Sequence, residues 1–246
     1  MKKTLSQFWK KLKGKEKDAA TAYNLWAGYY DSQPHNLMLA LDETVFSELL
    51  QLVPFTKGLI ADIGCGTGRH WQKLLQLQPQ KITGFDVSEQ MLAKLVAKYP
   101  GAETHLVKNE SLAPLQDNSC GLLVSTLTIA HIENMHAALK EWARVVAPGA
   151  YIIITDYHPA ALAKGAQRTF TANNEEISIK NYVHPVEQVI ERAKQLNLSV
   201  IRLTEKIIDE NMLPYYEQQS AVHVFEKWKG TPVIYGLLLQ KADVAQ

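Results

Sequence analysis

Leu59-Ile60-Ala61-Asp62-Ile63-Gly64-Cys65-Gly66-Thr67-Gly68-Arg69-His70 decides how the rest of the chain is read. Leu59, Ile60, Ala61 and Ile63 form a short apolar run behind Gly58, the composition of a strand covered on both faces. Gly64, Gly66 and Gly68 follow at alternate positions. Glycine permits positive φ and a close approach of backbone to ligand, so the loop reads as a cradle. Trp71, Leu74, Leu75 and Leu77 then recur at helical spacing until Pro79 stops the helix.

A second strand, Lys81 to Asp86, ends in an acid at the distance where a ribose-binding carboxylate is expected. An ionised carboxylate only accepts hydrogen bonds, so it suits a vicinal diol that donates two. The dinucleotide fingerprint G-x-G-x-x-G would need a glycine at position 69, where Arg69 stands, and this disfavours an NAD-dependent oxidoreductase. The pattern over residues 62–68 is D-x-G-x-G-x-G instead, which resembles motif I of the class I S-adenosylmethionine (SAM)-dependent methyltransferases. Asp86 matches that family's ribose acid. Asp86 to Leu92, Asn109 to Ser119, Leu122 to Thr126 and Ala150 to Asp156 are similar to the family's later motifs and arrive in its order.

The resemblance implies an α/β fold: a Rossmann-like, seven-stranded, mostly parallel sheet with helices on both faces and an antiparallel last strand. It also implies SAM as cofactor, S-adenosylhomocysteine (SAH) as product, and a small organic methyl acceptor. A non-catalytic protein that holds SAM or SAH is the alternative of another class. Implied cofactor contacts begin with Asp62, for the ammonium group, and the loop Gly64, Cys65, Gly66, Thr67 and Gly68. Asp86 and Val87 follow at the ribose, with Met91 against the adenine edge. Asn109, Glu110 and Ser111 correspond to the adenine loop; asparagine stands where the family usually has aspartate, keeping an acceptor oxygen but not the charge. Thr126 and Leu127 complete the set at the end of the fourth strand. Tyr23 belongs to Ala22–Asp31, which resembles an aromatic segment that lies over the cofactor in related enzymes.

Candidates for chemistry on the acceptor are His131, Tyr157 and His158, all placed after strand ends. A histidine titrates near neutrality and can take a proton from an acceptor. Tyr157 and His158 directly follow the fifth strand and are expected to face the acceptor. No histidine or cysteine cluster has metal-ligand spacing, so no metal is expected.

The alternation of strand and helix from residue 58 to 156 itself calls for a parallel sheet with its ligand at the strands' carboxyl ends. Residues 1–35 are expected to form a basic, aromatic, helical lid and residues 36–246 the methyltransferase domain, with 157–230 including a substrate-cover insertion. Within it, Arg168–Thr171 and Ile177–Val183 alternate with period two about Asn173-Asn174, the pattern of a hairpin. Residues 1–17 hold seven lysines and one acid, a net of +6 in a chain of net +1, so the remainder carries −5. An acidic body argues against a nucleic-acid substrate gripped over a broad surface. Leu5, Phe8, Trp9 and Leu12 put one apolar face on the basic segment. That face suits a capping helix, or weak contact with a membrane surface. No apolar run approaches a membrane span, and the N-terminal residues lack the continuous apolar segment expected of a secretory signal. Two cysteines imply no disulfide framework, so the cytoplasm is the expected compartment.

Overall fold

The computed structural model describes residues 15–33, 36–172 and 175–243. Its strands are β1 (Lys15–Lys17), β2 (Leu59–Ile63), β3 (Lys81–Asp86), β4 (Glu103–Leu106), β5 (Cys120–Thr126), β6 (Val146–Tyr157), β7 (Thr169–Ala172), β8 (Glu175–Ile179), β9 (Leu198–Ile207) and β10 (Pro232–Lys241). Seven of them form one sheet in the order β4-β3-β2-β5-β6-β10-β9. Neighbours from β4 to β6 are parallel, and β10 runs antiparallel between β6 and β9.

Side chains alternate between faces along a strand, and this sheet buries both. Ile152 and Ile154 of β6 join Ala61, Phe85 and Leu123 beneath the helices Met135–Val145 and Val186–Gln195. Ile153 joins Ile60, Ile82 and Leu122 beneath the helices Leu37–Leu50, Trp71–Gln76 and Glu89–Lys98. Burial on both faces is why these strands read as continuous apolar runs. Asn36, Ser88 and Asn134 start three of the helices by accepting the N–H of Leu39, Met91 and Ala137 on their side-chain oxygens.

Along β10, Tyr235, Leu237 and Leu239 face one core, while Ile234 and Leu238 face the other. Gly236 lies where the helix Leu37–Leu50 presses closest: a Cβ there would sit 2.4 Å from Val45 Cγ1 and 2.8 Å from Leu49 Cδ1. Gly236→Ala is therefore expected to lower stability by ~1–3 kcal/mol through overpacking. A shift of the urea midpoint at unchanged slope would show it.

A second, three-stranded sheet has the order β1-β8-β7. β7 and β8 form the antiparallel hairpin, with Phe170 opposite Ile177; its turn, at positions 173–174, lies outside the described residues. β1 adds in parallel, Lys15 to Ile177. The helical reading of residues 1–17 is thus corrected at its end, where pairing with β8 holds residues 15–17 extended. Residues 1–14 lie outside the described residues. The helix Ala19–Trp26 packs on the hairpin, with the Trp26 ring stacked on Phe170 at 4.6 Å between centroids. Two short helices, Leu213–Gln218 and Val222–Trp228, precede β10 and are separated where Ser220 turns to φ +54. Among the described residues no helix is long and apolar enough to cross a membrane.

Candidate active site

β2 is flanked by β3 on one side and β5 on the other, so the chain order reverses there and a crevice opens at the carboxyl ends. The crevice is a cleft of ≈ 1020 Å³, its mouth included. Gly66, Asp86, Val87, Met91, Asn109 and Glu110 line the side of β3 and β4. Thr126, Leu127, Thr128 and His131 line the side of β5, with Tyr23 and Tyr30 from the N-terminal segment and Gly64 from the loop.

The glycine loop is shaped by two close approaches. Gly64, at φ +67, packs so tightly on Thr128 that a Cβ would fall 2.0 Å from its Oγ1. Gly66, at φ +52, would carry its Cβ into open space within the cleft. Its N–H donates to Asp86 Oδ2 at 2.8 Å, and the N–H of Ser88 donates to Oδ1 at 2.8 Å. Each carboxylate oxygen retains acceptor capacity. A buried acid with room above the loop beside it fits a ribose diol, so the residues present suit the nucleoside of SAM.

Burial pushes the Asp86 carboxyl up to about 6, although the Ser88 and Gly66 amides pull the other way. A donating diol favours the ionised form, so binding releases a proton wherever free Asp86 is protonated. SAH affinity is expected to fall below pH ~6, by up to about tenfold per pH unit for this one carboxylate, and to level off above it. Calorimetry across this range in buffers of different ionisation enthalpy checks it; a flat profile with no proton release would refute it. The raised folded value also means that Asp86 withdraws stability from the free protein as pH rises from ~4 through 6, a loss the ligand reverses.

Other expected cofactor residues stand behind the cleft wall. Asp62 is buried and accepts from Trp71 Nε1 at 2.8 Å; burial raises its carboxyl to about 6. Cys65 packs its thiol under Gly84. Thr67 Oγ1 donates to Asp31 at 2.7 Å, and Lys98 Nζ reaches both Asp31 and the Thr67 carbonyl, tying the aromatic segment to the loop. Gly68 rests on Leu95 and Tyr99. None of these four, nor Ser111, lines the cleft. Asn109 Oδ1 already accepts the N–H of Ser111 at 3.1 Å, so the oxygen expected for the adenine amine also shapes its own turn.

At the other end, Tyr23 and His131 form the wall. His131 Nδ1 donates to the Lys180 carbonyl at 3.1 Å, which leaves Nε2 as its acceptor, 3.0 Å from Tyr23 Oη. Behind them lies Arg168, which opens the hairpin. Its Nη1 donates to Leu127 O at 2.9 Å and to Tyr23 Oη, and stands 2.7 Å from His131 Nε2. Burial, with the neighbouring Arg168 charge, pushes His131 down to about 3, so the ring is neutral. Leu127 is held at φ +52 between this guanidinium and the Thr155 carbonyl, which accepts its N–H. Tyr157 does not line the cleft; its ring lies under Arg168, 4.6 Å from centroid to guanidinium carbon.

The expectation for His158 is corrected. Its Nδ1 accepts the Ala160 N–H at 3.1 Å and its Nε2 meets Glu205 of β9 at 2.7 Å. It caps the helix Pro159–Ala163 beside β10, away from the cleft lining. Arg168 and Thr128 are the residues that sequence reasoning missed. Only the period-two pattern marked Arg168, and only as a strand residue. Among the described residues, no group of three or more His, Cys, Asp or Glu is arranged to hold a metal ion.

Residues 61–154 match the family model described as a methyltransferase domain. The chain is 25% identical over 200 residues to a malonyl-[acyl-carrier protein] O-methyltransferase of Marinomonas sp., across 80% of this chain and 72% of the relative. It is 34% identical over 96 residues to a demethylmenaquinone methyltransferase of Chlorobaculum parvum, across 38% of this chain and 39% of the relative. In three dimensions it is similar to an S-adenosylmethionine-dependent methyltransferase of Mesorhizobium loti, with a TM-score of 0.62 at 17% identity, covering 80% of this chain and 97% of that one. Sheet order, the methyltransferase-domain match, the relatives named as methyltransferases and the solved fold agree, and together they support a class I S-adenosylmethionine-dependent methyltransferase, an enzyme whose methyl donor is SAM.

Proposed function

We propose that the enzyme methylates a small organic acceptor, free or carried on a larger group, bound between Tyr23, Tyr30, Thr128 and His131. The observation that carries this reading is the division of the cleft: Asp86 and Gly66 sit on one side of β2, and an aromatic, polar wall closes the other. The names of the relatives, one acting on a malonyl carrier and one on demethylmenaquinone, support an acceptor of this size class.

SAM supplies a methyl group already activated on a sulfonium, so the protein's task is to align donor and acceptor, which is worth up to ~7–11 kcal/mol. Asp86 and the Gly66 backbone would hold the ribose. Met91, buried under the helix Ala19–Trp26, would flank the base. The cover is the aromatic segment with the β7–β8 hairpin, joined by Trp26 on Phe170 and by Asn24 Oδ1, which accepts from Ser88 Oγ at 2.7 Å. Closed over the cleft, it excludes water from the transfer. Residues 15–31 thus act as the lid proposed for the N-terminal segment, and the hairpin strands Thr169–Ala172 and Glu175–Ile179 as part of the acceptor cover. Both cysteines are buried free thiols, which suits a reducing compartment such as the cytoplasm.

Calorimetry with SAH and NAD tests the reading. SAH is expected to bind and NAD to give no heat, because Arg69 occupies the position where a dinucleotide site needs glycine. Heat from NAD with none from SAH would overturn it.

A further inference from the structure

We infer that the group methylated by this enzyme is a carboxylate, and that Arg168 selects it. This rests on the small-acceptor reading above and names the acceptor's chemical class.

Arg168 is the starting point. Its side chain is only 6% exposed, and its Nη1 touches three cleft-lining residues, Tyr23, Leu127 and His131. Nη2 is buried without a hydrogen-bond partner. The nearest carboxylate oxygen, Asp156 Oδ1, is 3.9 Å away. That carboxylate is engaged elsewhere: Oδ2 accepts the Ala130 N–H at 2.7 Å and Oδ1 the Tyr157 N–H at 2.6 Å. A buried cation with one donor unmet and no hydrogen-bonded anion stands directly behind the acceptor wall. Such a charge is costly to bury unless something complements it.

The same wall offers no base. The lone pair of His131 faces both the Arg168 Nη1 and the Tyr23 hydroxyl, and its N–H is held by the Lys180 carbonyl. Burial keeps the Tyr23 hydroxyl protonated. Of the acids in the cleft, Asp86 belongs to the ribose side and Glu110 to the adenine loop. Glu133 is exposed and accepts from Tyr182 Oη at 3.1 Å. A neutral alcohol would find nothing to take its proton, and an amine would arrive protonated beside a fixed cation. A carboxylic acid is ionised at neutral pH before it enters. One carboxylate oxygen forms a bond to the methyl carbon as the carbon–sulfur bond breaks, and that electron pair stays on sulfur. The products are a methyl ester and a neutral thioether, with no proton transferred. Arg168 is then a positioning residue that acts through Tyr23 and through its field.

Ligand-observed NMR on the SAH-loaded enzyme provides the test, with octanoate, phenylacetate and the half-thioester of malonate each set against its own amide. At least one acid is expected to bind ten times or more tighter than its amide. Arg168→Gln should abolish that preference and Arg168→Lys should keep much of it, with SAH held saturating for each variant. Methyl transferred from labelled SAM to that acid should be released as methanol by alkali, as an ester requires. The proposal fails if no acid outbinds its amide, if folded Arg168→Gln retains the preference, or if the label is alkali-stable. If Arg168→Gln does not fold, loss of the preference in a folded Arg168→Lys would equally overturn it. Failure of the wild type to bind SAH would remove the cofactor reading first, and this inference with it.

Discussion

Replacing Asp42 by alanine is expected to lower folding stability by ~3–5 kcal/mol, the range for removing one partner of a buried ionic cluster. Asp42 is fully buried in the helix Leu37–Leu50. Its Oδ2 takes Arg69 and, at 2.9 Å, His70 Nε2; its Oδ1 takes the Thr155 hydroxyl of β6. Burial alone would raise its carboxyl, but Arg69 and His70 hold it well below the usual range. His70 is further stacked on Phe46 at 4.0 Å. Alanine would leave the Arg69 guanidinium only the Glu43 carboxylate, 3.7 Å from Nη1, and would strand the His70 ring nitrogen and the Thr155 hydroxyl. Asp42→Asn keeps the shape and one acceptor, so it should recover part of the loss. Urea unfolding of both variants checks this, and a loss below ~1 kcal/mol for alanine would show that the cluster contributes little. Arg69 and His70 immediately follow the glycine loop, so folded Asp42→Ala should also bind SAH more weakly.

Asp86→Ala is expected to weaken SAH binding by ~2–4 kcal/mol, which is ~30- to 1000-fold. Two losses combine. The diol loses its charged acceptor, and the Gly66 amide loses the carboxylate that orients the loop. Asp86→Asn retains one oxygen and should fall between. Calorimetry at pH ~8, above the value to which burial raises this carboxyl, separates the substitution from protonation. Unchanged affinity in a folded Asp86→Ala would assign the ribose to another acceptor.

The parts of the molecule legible in sequence are those governed by local pattern. Lys81–Asp86 announces itself by an apolar run closed by an acid, and its observed bounds are the same. The hairpin follows from period-two alternation about two asparagines. What sequence conceals are the partners. Asp42 looks like any polar position on an amphipathic helix, because Arg69, His70 and Thr155 reach it only through the tertiary fold. Arg168 reads as the first residue of a strand, yet it gathers Tyr23, Leu127 and His131 from two other parts of the chain. His158 shows the reverse error. Its place after β6 is right, but that place does not determine which way the ring turns, and Glu205 and the Ala160 amide turn it toward the edge of β9 and β10.

The pairing of β1 with β8 also sets an order of events during synthesis. Residues 15–17 leave the ribosome early, but their partners at 177–179 follow only after β2 to β6 have been made. At ~5–20 residues per second, the N-terminal segment waits many seconds without its docking surface. Contacts so far apart in the chain also form late for entropic reasons. The glycine loop and Asp86 are therefore synthesised before the hairpin that completes the cover. The strand that seals the cover thus joins a segment made before the glycine loop to one made after β6.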